Sequence, residues 1–152
     1  MKFFNPYKMK FTAAIVLSIV LFTACKKEEE VSLAPVIEFV SLSSSSVVEL
    51  QDELLLKINY SDDNGDLGEN VADVKNLFVH DSRTNITFEY RIKQLAPDEA
   101  NIPIQGTLEV VIEPLVISDG SSAESGVFTI HVIDRDGNES NKVLSSVFEV
   151  VN

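Results

Sequence analysis

Glu53-Leu54-Leu55-Leu56-Lys57-Ile58-Asn59-Tyr60 sets Leu54, Leu56, Ile58 and Tyr60 on one side and Glu53, Leu55, Lys57 and Asn59 on the other. Successive Cβ atoms of an extended chain point to opposite faces, so a period of two marks a half-buried strand. This stretch therefore predicts a strand with one core face and a mixed outer face.

The same period recurs on either side of it. Val36 to Val40 predicts a short first strand, followed by a polar turn over Ser43 to Ser46. After Tyr60 comes a loop from Ser61 to Asn70, dense in Asp, Asn and Gly, and then a third strand over Val74 to His80. Ile86, Phe88, Tyr90 and Ile92 alternate with polar residues in a fourth strand. Gln94 to Gln105 carries Pro97 and Pro103 and predicts a loop. Leu108, Val110 and Ile112 form a fifth strand, and Asp119 to Gly126 a Ser/Gly turn. Val127 to Ile133 is almost continuously apolar, as a central strand would be, and Lys142 to Val151 closes the series. No segment sustains a 3.6-residue period. The pattern is that of an all-β chain, a single seven-stranded antiparallel sandwich over residues 36–152.

Residues 1–24 read differently. Lys2, Lys8 and Lys10 precede Phe11 to Ala24, a run of 14 residues without charge. A spanning helix needs about 20 apolar residues, whereas a run of this length suits the core of a helical signal peptide that is later removed. The whole chain carries 12 Lys+Arg against 24 Asp+Glu. Three of the lysines lie in the leader, so the remaining 128 residues hold 9 basic and 24 acidic side chains, a net charge of −15. A surface of that sign repels phosphates, which argues against nucleic acid as a partner and leaves carboxylates for divalent cations.

The chain has one cysteine, Cys25, which follows Ala24 at the end of the apolar run. A single cysteine cannot form an internal disulfide, and its position favours covalent modification. Leu21-Phe22-Thr23-Ala24-Cys25 resembles the lipobox of bacterial lipoproteins. That resemblance implies diacylglyceryl transfer to the Cys25 thiol, cleavage between Ala24 and Cys25, and acylation of the new amine. Lys26-Lys27-Glu28-Glu29-Glu30 is similar to the export signal of Bacteroidota surface lipoproteins, which implies an address on the outer face of the outer membrane. Residues 25–35 would then be a lipid-bearing, charged tether. One acyl chain holds weakly, at about 0.8 kcal/mol per buried CH₂, while two or three hold for long times.

The chain beyond Pro35 resembles bacterial immunoglobulin-like and fibronectin type III-like modules. Phe128-Thr129-Ile130-His131-Val132-Ile133-Asp134-Arg135-Asp136-Gly137-Asn138-Glu139-Ser140 is like their penultimate strand and final turn. An immunoglobulin-like sandwich brings the connection after the second strand and the connection after the sixth to the same end. Asp62, Asn64 and Asp66 lie in the first of these loops, and Asp134, Asp136 and Asn138 in the second. Two readings follow. Together the loops hold enough oxygen ligands for a weak, extracellular-type Ca²⁺ site, which needs six to eight. Alternatively, Asn64-Gly65 and Asp136-Gly137 are turn residues and nothing more. An EF-hand is excluded, since Leu67 stands where that loop needs Gly and Asp73 where it needs Glu.

Catalysis finds no constellation. His131 alternates with core positions and is expected to face solvent. His80-Asp81-Ser82 contains triad residue types, but neighbours at a strand end cannot aim at one another as a triad must. The sequence points to a non-enzymatic binding or adhesion module, anchored in the membrane by lipid and meeting a protein or glycan. The alternative is an accessory subunit of an outer-membrane assembly, such as one for glycan uptake.

Overall fold

In the computed structural model, residues 33–152 are described; they fall in the compact unit Val31–Asn152. The leader, Ala24, Cys25 and the Lys26 to Glu30 run lie outside the described residues.

The described residues are all-β, with no helix. Their strands are β1 (Val36–Leu42), β2 (Ser46–Val48), β3 (Leu54–Asp62), β4 (Leu77–Asp81), β5 (Thr87–Tyr90), β6 (Ile104–Ile112), β7 (Ala123–Gly126), β8 (Phe128–Val132), β9 (Val143–Leu144) and β10 (Phe148–Val151). The Glu53 to Tyr60 alternation becomes β3, whose Leu54, Leu56 and Ile58 are fully buried. β3 is the middle of an antiparallel sheet of order β1-β3-β6. A second sheet has the order β5-β4-β8-β9, and a third the order β2-β10-β7, in which β10 runs parallel to β2.

The second and third sheets share one ribbon. Only Val127 separates β7 from β8, and only residues 145–147 separate β9 from β10. At the break the Ser145 N–H donates to the Phe128 carbonyl at 2.9 Å, and the Phe128 N–H donates to the Ser145 hydroxyl at 2.9 Å. A side-chain hydroxyl thus replaces a ladder partner where both strands bend. Ten strands therefore stand where seven were expected: the last, Lys142 to Val151, divides here into β9 and β10, residues of the expected Ser/Gly turn supply β7, and β2 forms at the end of the Ser43 to Ser46 turn by pairing with β10. The Ser/Gly turn over Asp119 to Gly126 is also shorter than expected. Ala123 to Gly126 continue the ribbon against β10 without apolar alternation of their own. Gly126 is needed there because the Arg83 side chain crosses it, and a Cβ would stand 2.5 Å from the Arg83 Cγ.

Other boundaries shift for local reasons. Asn76 leaves the expected third strand and is buried, its side chain spanning the Ile92 backbone at 2.6 and 3.3 Å. The loop from Gln94 ends two residues early, since β6 begins at Ile104 just after Pro103, a position open to a residue that cannot donate.

One apolar cluster joins the sheets into a sandwich-like body. Ile37, Leu54, Leu56, Ile58 and Ile112 come from the first sheet, and Leu77, Val79, Phe128, Ile130, Val132, Phe148 and Val150 from the other two. Phe128 and Phe148 stack with ring centroids 4.3 Å apart. Burying each such side chain is worth about 1.5–3 kcal/mol.

Candidate metal site

The candidate site begins with β3 running two residues past the apolar face. After Leu54, Leu56, Ile58 and Tyr60, the next inward position is Asp62, which is 1% exposed. Its Oδ2 accepts the Leu67 N–H at 2.7 Å, and Leu67 is itself fully buried, so the loop is pinned at both ends. Asp62 Oδ1 has no partner. Asn64 Oδ1 and both carboxylate oxygens of Asp66 are likewise shielded from solvent without a hydrogen bond. Most buried polar atoms in folded proteins are paired, and an orphan costs about 1–3 kcal/mol, more if charged.

Neighbouring loops close over this one. Asn64-Gly65 is not a hairpin turn, because β3 and β4 belong to different sheets. Gly65 has φ 75°, and a Cβ there would stand 2.3 Å from the Ile102 carbonyl, so the requirement is close backbone approach. Arg135 reaches across from the β8–β9 connection. Its Nη1 donates to the Gly68 carbonyl at 2.9 Å and its Nη2 to the Gly65 carbonyl at 3.4 Å, while its N–H donates to the Asp66 carbonyl at 3.2 Å. Its Nε lies 3.8 Å from Asp98 Oδ1. The result is a cleft of about 310 Å³ whose lining includes Leu33, Asn64, Asp66, Asp98, Arg135 and Asp136. The Asp66 carboxyl titrates above the usual range, first because it is buried and then because Asp134, Asp62 and Asp136 repel its charge; Arg135 offsets part of this.

The second acidic loop is built otherwise. Asp134 is buried, its Oδ1 accepting the Asn138 N–H at 2.7 Å and its Oδ2 the Asn138 Nδ2 at 2.9 Å. Asn138 Nδ2 also donates to the Leu33 carbonyl at 3.1 Å. The Gly137 N–H donates to the Asp134 carbonyl at 3.2 Å, and the segment links β8 and β9, which are paired. The structure thus brings the two loops to one end but gives them different chemistry. Asp62, Asn64 and Asp66 have unused oxygens, whereas Asp134 and Asn138 bond one another and Asp136 is exposed. Among the described residues no group of three or more His, Cys, Asp or Glu is set by itself to hold a metal. The orphaned set is of another kind, two carboxylates and an amide oxygen.

The remaining polar candidates are engaged elsewhere. His131 stacks on Phe78 with centroids 4.9 Å apart, and its Nε2 lies 3.8 Å from Glu139 Oε1. Partial burial pushes its pKa below the usual value, against the pull of Glu139. The three residues of His80-Asp81-Ser82 diverge: His80 Nδ1 lies 3.2 Å from Thr87 Oγ1, Asp81 binds Arg83, and the Ser82 hydroxyl accepts the Val127 N–H at 3.0 Å. A larger cleft of about 490 Å³ lies over β1, β3 and β6, lined in part by Glu38, Asn59, Tyr60 and Thr107. Its Thr107 hydroxyl is spent on Asn59 Oδ1 at 2.8 Å, and it gathers no acid–base pair.

Sequence reasoning missed the ion pair at the far end of β4. Arg83 Nη2 donates to Asp81 Oδ2 at 2.7 Å, and Arg83 Nε and backbone N–H donate to Asp81 Oδ1 at 3.2 and 2.9 Å. Both side chains are at most 2% exposed. The spacing Asp-Ser-Arg was the available signal, hidden inside an apparent turn. Comparison with known proteins finds no family model, no curated protein and no solved structure that matches this chain.

Proposed function

We propose that this chain is a non-catalytic binding module, built as an immunoglobulin-like sandwich and tethered by lipid on Cys25 to the outer face of a bacterial outer membrane. The observation that carries the reading is Cys25 itself, which follows Ala24 at the end of a 14-residue uncharged run and stands ten residues before Pro35. The strand order supports the immunoglobulin-like part. β1-β3-β6 lies apart from β5-β4-β8-β9, and the chain crosses after β1 so that β2 pairs parallel with the last strand. That division of strands between two layers is the one such sandwiches use.

Protease treatment of intact cells, with membrane fractionation of a Cys25→Ala variant alongside, tests the reading. Wild-type chain that is digested in intact cells, and variant that leaves the membrane fraction, are the expected results. Protection of the wild type removes the surface address, and a variant that stays in the membrane removes the lipid.

A further inference from the structure

Four buried oxygens on three alternate residues have no donor in the folded chain, and they need not be satisfied by a proton donor. We propose that Asp62 Oδ1, Asn64 Oδ1 and the two carboxylate oxygens of Asp66 form a Ca²⁺ site, completed by backbone carbonyls and by the adjoining Asp134.

The chemistry favours this cation over others. All the orphaned atoms are hard oxygens, which suit calcium and magnesium and not the softer metals. Magnesium keeps several waters and demands a regular octahedron, whereas these oxygens are shut off from solvent and spread along a loop. Calcium accepts six to eight oxygens in irregular geometry, including both oxygens of one carboxylate. Asp62 is the strongest witness. A loop carboxylate at the surface would share its charge with water, but this one is 1% exposed, and one of its oxygens is idle. Both Asp134 oxygens accept from Asn138, and each retains a second lone pair for a cation.

The loop is also held in readiness. Leu67 is buried in the core and Gly65 lies against Ile102, so the three ligand residues cannot swing out to water without unpacking both contacts. Arg135 spends its guanidinium on the Gly65 and Gly68 carbonyls, which leaves the Asp66 carboxylate unbonded while its charge moderates the repulsion. An arginine so near lowers the affinity, which places the site in the millimolar class of extracellular modules.

The test uses the full chain in detergent, stripped with a chelator and then titrated with CaCl₂ or MgCl₂ while its melting temperature is followed. For sites of this class 10 mM calcium should raise the melting temperature by about 5–10 °C. Magnesium at the same concentration should do much less. Asp66→Asn should abolish the calcium response and yet melt higher than wild type in chelator, which shows that it folds. Asp98→Asn, on the cleft rim, should keep the response. A wild type indifferent to 10 mM calcium overturns the proposal, as does a response that survives Asp66→Asn. An equal rise with magnesium overturns the assignment to calcium.

Discussion

β3 and β4 each end on a buried carboxylate, Asp62 and Asp81, and the chain treats the two ends in opposite ways. At the Asp81 end three donors of Arg83 converge on one carboxylate. The guanidinium also donates to the Val116 carbonyl at 3.0 Å, lies 3.6 Å from Glu124 and rests 5.0 Å over the Phe148 ring. At the Asp62 end, four oxygens have no donor, and the nearby Arg135 bonds carbonyls instead. Burial alone does not decide whether a carboxylate is tolerated. What differs is whether the carboxylate oxygens receive donors: Arg83 supplies them to Asp81, while Asp62 and Asp66 keep idle oxygens.

That contrast can be broken from either side. The largest effect is expected at the satisfied end. Arg83→Ala leaves Asp81 buried and unpaired and should cost about 3–5 kcal/mol by denaturant unfolding. Much of that loss should return in Arg83→Met with Asp81→Asn, which removes both charges. The unsatisfied end should respond with the opposite sign. Asp66→Asn in chelator removes a charge that has no donor and should stabilise by about 1–2 kcal/mol. Destabilisation by that change, without calcium, would erase the difference between the ends.

The smallest effect comes from His131, a cation that the fold resists by partial burial against Phe78. The unfolded chain takes its proton near pH 6.5, and the folded chain only at lower pH. Stability should therefore fall as pH drops below about 6.5 and level off once the folded residue is protonated. Imidazole titration by NMR should give a value below 6.5, and His131→Gln should lose that component of the pH dependence.

The strand content was legible wherever side-chain alternation and burial coincide. β3 follows Leu54, Leu56 and Ile58, and β8 follows Phe128, Ile130 and Val132. Alternation failed to show β7, because Ala123-Glu124-Ser125-Gly126 is recruited by pairing with β10 and by the passage of Arg83, both nonlocal. The candidate site was half legible. Asp62, Asn64 and Asp66 stood out by composition, and Asp62 shares the parity of the buried leucines, but the expected strand stopped at Tyr60 and left Asp62 in a loop, so its inward aim was not read. Which oxygens would be left without donors did not follow. That depends on Arg135 turning to the carbonyls of Gly65 and Gly68, and on Asn138 occupying Asp134. Two loops of similar composition thus came out as one turn and one candidate ligand set.

The hydrogen bond from Asn138 to Leu33 fixes where the chain enters the domain. Asn141 adds to it, its Oδ1 accepting the Ile37 N–H at 2.8 Å and its Nδ2 donating to the Ile37 carbonyl at 2.9 Å. The chain therefore enters the domain at the acidic end. Asn138 also holds both oxygens of Asp134, so the side chain that fixes the entry is the one that closes the second acidic loop. Whatever loosens Asp134 and Asn138 therefore loosens the entry of the chain as well.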